Sequence, residues 1–126
     1  MDYKYSKRFD PPAPVVELSI CAPLSNASTS SVALVDSGAD ITVVPEPIIS
    51  RLRLRRVDSM SASGFGKGVI EATVYSAILG VEGILNPKIY RILSWNEDYA
   101  LIGRDLLNKL IAVLNGPNEE LGLREV

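Results

Sequence analysis

Short apolar stretches, several with the two-residue period of β-strands, dominate the pattern along the chain. Residues 15–20 alternate between apolar and polar positions, which predicts a strand with one buried face. The continuous apolar runs 32–35 and 99–102 lack this alternation. The first predicts a strand that is buried on both faces, and the second predicts another short strand. Further strands are predicted over residues 41–44, 52–60, 69–75, 77–81 and 87–93.

Helical spacing of apolar residues is confined to short segments. Pro45 and Pro47 end one strand and can open a short helix over residues 46–51. A stripe of leucine and isoleucine side chains predicts a second helix over residues 104–111. Trp95 is assigned to core or turn packing. Turn-forming residues predict loops over residues 24–31, 95–98 and 115–118. The pattern as a whole predicts a mainly β domain.

The length of 126 residues is that of one domain. Residues 1–12 end at a Pro-Pro pair and are expected to form an N-terminal arm, followed by a folded domain over residues 13–126. The chain has no histidine, which excludes Ser-His and Cys-His nucleophilic catalysis. A single cysteine, Cys21, excludes an internal disulfide. Because histidine and cysteine clusters are missing, we expect no metal site and no cofactor.

Charge and hydropathy argue against nucleic-acid and membrane partners. The chain carries 13 basic and 15 acidic residues, a net charge of −2, which gives no general attraction to nucleic acid. In the basic cluster 51–56, alternation predicts that Arg51, Arg53 and Arg55 lie on a solvated strand face. A nucleic-acid-binding β-barrel is an alternative that rests on this cluster alone. Neither a signal peptide nor an apolar run of ~20 residues is present, so we expect a soluble, cytoplasmic protein.

The main candidate for chemistry is the triplet Asp36-Ser37-Gly38, which follows the apolar run 32–35 directly. Gly38 permits a tight loop at this point, because it has no Cβ. Asp36 is therefore expected at the edge of an apolar wall. Asp, Ser and Gly are also the commonest turn residues, so an ordinary turn is the alternative explanation of the triplet alone.

Further features follow the triplet in a fixed order. A predicted hairpin comes next, and three of the five residues of its tip, 64–68, are glycines. Such a tip suits a mobile flap whose backbone approaches a ligand closely. Asp40 and Arg104 each lie just past the end of an apolar strand, so we expect a salt bridge that ties the two loops together. An ordinary hairpin loop and two unrelated surface charges are the alternatives.

Together these segments resemble the three signatures of the retropepsin-like aspartic proteases, which include retroviral and retrotransposon proteases and their cellular and bacterial relatives. The segments are residues 33–40 around the Asp-Ser-Gly triplet, residues 64–68 and residues 101–107. They occur in the order of the family and span roughly residues 15–115. The resemblance implies a mainly β, closed-barrel-like retropepsin fold with one short C-terminal helix, which acts as a homodimer.

The resemblance also implies roles for individual residues. Asp36 would be the catalytic aspartate, in an active-site loop that continues through Ser37 and Gly38. The Ser37 hydroxyl, where viral members commonly have threonine, would lock the two loops of a dimer together. Gly103 would belong to the apolar-apolar-Gly element of the fold, and Arg104 would brace the acidic end of the active-site loop. The substrate-binding residues would be Ala39, Asp40 and the flap residues Gly64, Phe65, Gly66, Lys67 and Gly68.

Hydrolysis of a peptide bond by this route needs an acid and a base at once, supplied by two carboxyl groups that share one proton. The chain contains a single Asp-Ser-Gly, because Asp58-Ser59 continues with Met60. The second carboxylate must come from another copy. The predicted function is thus cleavage of an extended peptide or polyprotein by a homodimer. The alternative is a non-catalytic dimeric peptide-binding or scaffold module on the same fold. The N-terminal arm, residues 1–12, and the segment 116–126 do not align with the family, which leaves the dimer interface open.

Overall fold

Strands make up most of the protein. The computed structural model describes residues 1–63 and 68–125. It contains 56% strand and 9% helix, which confirms the predicted mainly β class. The strands are β1 Asp2–Lys4, β2 Val15–Cys21, β3 Ser28–Val35, β4 Val43–Pro45, β5 Arg56–Ala62, β6 Ile70–Val81, β7 Leu85–Trp95, β8 Ala100–Ile102, β9 Leu110–Asn115 and β10 Glu120–Glu125, and the helices are α1 Glu46–Leu52 and α2 Arg104–Leu107.

Six strands close into a barrel, as predicted. Their order is β2-β3-β8-β4-β7-β6, and β6 pairs back with β2 through residues 19–21 and 78–80. β5 pairs with β6 outside this closed ring. Burial of a large apolar side chain inside the barrel contributes about 1.5–3 kcal/mol to the stability of the fold, relative to leaving that side chain exposed. The fully buried ones include Leu18, Ile20, Leu79 and Ile92.

A second, three-stranded sheet has the order β1-β10-β9 and joins the two ends of the chain. The ammonium group of Met1 donates to the Leu123 carbonyl at 2.7 Å. Leu123 and Leu121 are buried in the core of the barrel. Residues 1–12, expected to form an arm, thus include a paired strand. Tyr3 packs against the same core, and burial raises the pKa of its hydroxyl.

The helix predicted over residues 104–111 is wrong beyond its first turn. α2 ends at Leu107, and Leu110 and Ile111 belong to β9, where they pair with Glu125 and Arg124. The β9–β10 pairing gives this segment a ladder of hydrogen bonds, and that tertiary interaction overrides the helical spacing of its side chains. The turn predicted over residues 115–118 joins these two strands.

Several other boundaries differ from prediction. β3 begins at Ser28, inside the predicted polar loop, because residues 28–35 pair in register with β2. Val32 is 40% exposed, so this strand is not buried on both faces. α1 extends to Leu52, and β5 begins only at Arg56. Among the described residues, no helix has the length and apolar character needed to cross a membrane.

Candidate active site

The Asp36 loop lies where two parallel strands end side by side. β3 and β8 pair in parallel with Val35 opposite Ile102, so the loops that follow them leave the sheet at the same edge. The Asp36 amide donates to the Ile102 carbonyl at 3.0 Å, which continues the pairing by one residue. The side chain of Asp36 is half-buried, and its Oδ1 accepts from the Gly38 amide at 2.8 Å. The carboxylate is therefore fixed by its own turn.

Two glycines at this edge lie close to neighbouring atoms, and the approach is tighter at Gly103 than at Gly38. A Cβ on Gly38 would lie 3.1 Å from Asp36 Oδ1 and would crowd the carboxylate. A Cβ on Gly103 would lie 2.8 Å from the carbonyl carbon and 2.9 Å from the nitrogen of Ile41. Backbone atoms cannot move aside as a flexible side chain can, so Gly103 lets the two loops touch.

The side chain of Arg104 ties the two loops together. It forms the predicted ion pair with Asp40, and its Nη1 donates to the Ser37 carbonyl at 2.6 Å. The Arg104 amide also donates to the Ala39 carbonyl at 2.8 Å. Both partners of the ion pair are well exposed, so it contributes at most about 1 kcal/mol to stability. It fixes the position of the loop more than it stabilises the fold.

Beneath the loops lies a buried hydrogen-bond network that sequence reasoning missed. Thr42 is fully buried, and its hydroxyl and amide donate to the two carboxylate oxygens of Asp105 at 2.8 and 3.0 Å. The Thr42 hydroxyl oxygen in turn accepts from the Gly103 amide at 3.2 Å. The available signals were a hydroxyl inside the apolar run 41–44 and an acid in the first turn of α2.

A groove of about 430 Å³ opens beside Asp36. The Asp36 loop forms one wall, the last residues of β5 and Ser63 form another, and Leu101 contributes an apolar side chain. Trp95 also lines the groove, and its indole nitrogen donates to the Tyr99 carbonyl at 2.8 Å. Trp95 thus borders the candidate site, in addition to the packing predicted for it. The groove offers carboxylates beside apolar surface, an arrangement suited to an extended peptide.

The flap prediction falls partly outside the described residues. The arms of the β5–β6 hairpin are paired as far as Ala62 and Ile70. Gly68 has a left-handed φ of 71° with open space around it. The residues of the predicted flap that lie outside the described ranges are Gly64, Phe65, Gly66 and Lys67. In residues 1–63 and 68–125, no cluster of three or more His, Cys, Asp or Glu side chains could hold a metal ion.

No protein-family model and no curated protein matches the chain by sequence. Solved structures do match. Simian foamy virus (mac) protease has a TM-score of 0.55 at 24% identity, covering 75% of this chain and 92% of that one. EIAV protease, solved with an inhibitor, has a TM-score of 0.55 at 22% identity, covering 84% and 92%. A retropepsin-like aspartic protease from Rickettsia conorii has a TM-score of 0.50 at 16% identity, covering 96% and 95%. This protein therefore has the retropepsin-like fold that its sequence motifs predict.

Proposed function

We propose that this protein is an aspartic endopeptidase, active as a homodimer in which each copy supplies one Asp36. The observation that carries this proposal is the position of Asp36, which follows a barrel strand and borders a groove of peptide dimensions. Proteases among the structural neighbours support the same activity at the level of the fold. One Asp36 carboxylate would take a proton from water, and the other would donate one to the carbonyl oxygen of the peptide bond.

The need for a second copy follows from counting carboxylates. Two carboxyl groups about 3 Å apart share one proton, which gives the required acid and base together. The other acidic side chain of the described groove is Asp40, and Arg104 already pairs with it. A two-fold axis close to Asp36 would supply the missing partner. The exposed Ser37 could then contact its counterpart across that axis.

The three-stranded β1-β10-β9 sheet would provide a surface for this association. β9 pairs with β10 on one side only, so within the described residues its other edge is free. Residues 110–115 carry no charge, and Val113 and Leu114 are each 59% exposed. An uncharged, apolar edge strand is a template for pairing with another strand. We propose that β9 of a second copy pairs with it.

The substrate we propose is an extended peptide. Such a peptide would form strand-like hydrogen bonds with the active-site loop below and with the predicted flap, residues 64–68, above. The apolar wall of the groove, with Trp95 and Leu101, favours a bulky apolar side chain next to the cleaved bond.

A fluorogenic peptide-library digest across pH, run on wild type and Asp36→Asn side by side, tests the activity. Asparagine keeps the shape of the side chain, so the variant should fold and dimerise while cleavage falls by at least about a hundredfold. Equal cleavage by the two proteins would remove Asp36 from the mechanism. Peptide binding without cleavage by wild type would favour the non-catalytic module instead.

A further inference from the structure

A second cavity, of about 770 Å³, lies away from Asp36, between the β2–β3 loop and the segment that joins α1 to β5. Four arginines surround it, together with aliphatic and hydroxyl side chains. The lining residues that matter here are Leu24, Arg51, Arg53, Arg55, Arg56 and Val57.

The arginines do not lie on the solvated strand face predicted for them. Arg51 belongs to α1, and Arg53 ends that helix in the left-handed conformation, with φ 52° and ψ 49°. The Arg53 amide donates to the Ser50 carbonyl, and the Leu54 amide donates to the Ile49 carbonyl. Glycine is the usual residue at the left-handed position of such a helix ending. Arg55 precedes β5, and Arg56 is its first residue. The connection bends the chain so that its basic side chains surround a cavity.

Positive charge at this cavity is uncompensated. In the described part of the chain, no ion pair involves any of the four guanidinium groups. As far as the structure describes the lining, it contains no acidic side chain, although the chain as a whole has more acidic than basic residues. Guanidinium groups bind carboxylates and phosphates with paired hydrogen bonds. An anionic ligand is therefore the natural complement of this surface.

The same cavity also presents aliphatic surface. Leu52 and Leu54 are buried in its floor, whereas Leu24 is 76% and Val57 is 46% exposed at its rim. Val57 lies at a bulge, where β5 shifts register against β6 between Arg56 and Asp58. Exposed apolar side chains beside these arginines would match a ligand that is both acidic and aliphatic.

We propose that this arginine cavity binds an acidic peptide segment whose carboxylates contact the arginines and whose aliphatic side chains cover Leu24 and Val57. A nucleic acid fits less well, because no aromatic side chain of the described residues lines the cavity to stack on a base and the net charge is −2. β5 runs from Arg56 at this cavity to Ala62 at the Asp36 groove. The cavity and the groove thus lie at opposite ends of one strand.

Fluorescence anisotropy with a short labelled peptide of alternating glutamate and leucine tests the proposal. We expect binding that weakens as salt rises, and that weakens by about tenfold in the double variant Arg53→Gln/Arg55→Gln. The matched control is Lys7→Gln/Lys88→Gln, which removes the same charge elsewhere on the surface and should bind as wild type does. Thermal melting of both variants shows whether the fold is retained.

Three further binding measurements distinguish acidic-peptide binding from the alternatives. A peptide of alternating glutamine and leucine should lose binding, and a single-stranded oligonucleotide should bind more weakly than the acidic peptide. Asp36→Asn should bind the acidic peptide as wild type does, so the result is independent of proteolysis. Equal binding by the Arg53/Arg55 variant and the lysine control, or preference for the oligonucleotide, would overturn the proposal.

Discussion

The buried hydroxyl of Thr42 donates to the carboxylate of Asp105 at 2.8 Å, across 63 residues of sequence. This contact joins the strand that follows the Asp36 loop to the helix that follows β8. A second donor, the Thr42 amide, donates to the other oxygen of the same carboxylate. Two hydrogen bonds between Thr42 and Asp105 therefore connect the two loops. The candidate site is thus supported from beneath by residues that do not border its groove.

Thr42→Val should lower the free energy of unfolding by about 1–3 kcal/mol. Valine keeps the shape of threonine but removes a donor to Asp105 Oδ1, which keeps only the Leu106 amide at 3.0 Å, and it leaves the buried Gly103 amide without its acceptor. Urea denaturation at one fixed protein concentration measures the change. Thr73→Val, at a half-buried position on β6, is the control and should have a much smaller effect. Equal stabilities for both variants would contradict the role assigned to the buried pair.

Gly103→Ala should destabilise the protein by about 1–3 kcal/mol, because the new Cβ would overlap backbone atoms of Ile41. Gly116→Ala is a matched control, since a Cβ there would meet nothing within 4 Å. The two variants can be compared by thermal melting. If Gly103→Ala melted at the temperature of the control, the two loops would not be in the close contact described.

Arg104→Gln should change activity more than stability. The ion pair with Asp40 is exposed, so the loss of stability should stay within about 1 kcal/mol. Loss of the contacts to Asp40 and the Ser37 carbonyl should release the active-site loop and lower kcat more than it raises KM. Arg104→Lys should recover part of the activity, because it keeps one donor and the charge. A variant with full kcat would show that Arg104 does not position the loop.

Val113→Lys/Leu114→Lys should convert the proposed dimer into monomers. Charges introduced on both copies would face each other across the β9 edge, and an edge lysine also opposes strand pairing. Sedimentation velocity measures the association, and peptide cleavage should be lost in parallel. Ile89→Lys, at a position that is 65% exposed on β7, is the control. A double variant that stayed dimeric would exclude β9 as the interface.

Local patterns predicted the parts of the fold that local physics determines. Alternation identified β2, and the triplet at the end of an apolar run identified the loop of Asp36. The Asp40–Arg104 ion pair was also predicted, since both residues follow strands of the same kind. Each of these features is determined by residues close in sequence or by strands that end at the same edge of the sheet.

Long-range pairing accounts for what the pattern did not predict. β1 pairs with β10 from the opposite end of the chain, and β9 takes up residues whose spacing is helical. The Thr42–Asp105 contact depends on the barrel having brought the two loops together. A different cause applies to residues 51–56. Their alternating leucines and arginines resemble the pattern of a strand, but α1 continues to Leu52 and Arg53 ends that helix.

Among residues 1–63 and 68–125, the other free sheet edges differ in character from β9. β1 has only three residues and carries Asp2 and Lys4, and β5 carries Arg56 and Asp58. The short length of β1 and the charged side chains on both edges oppose the addition of another strand. Once two copies join through β9, the enlarged sheet would end on both sides in β1. Association should therefore be self-limiting, and concentrated solutions of this protein should resist growth into filaments.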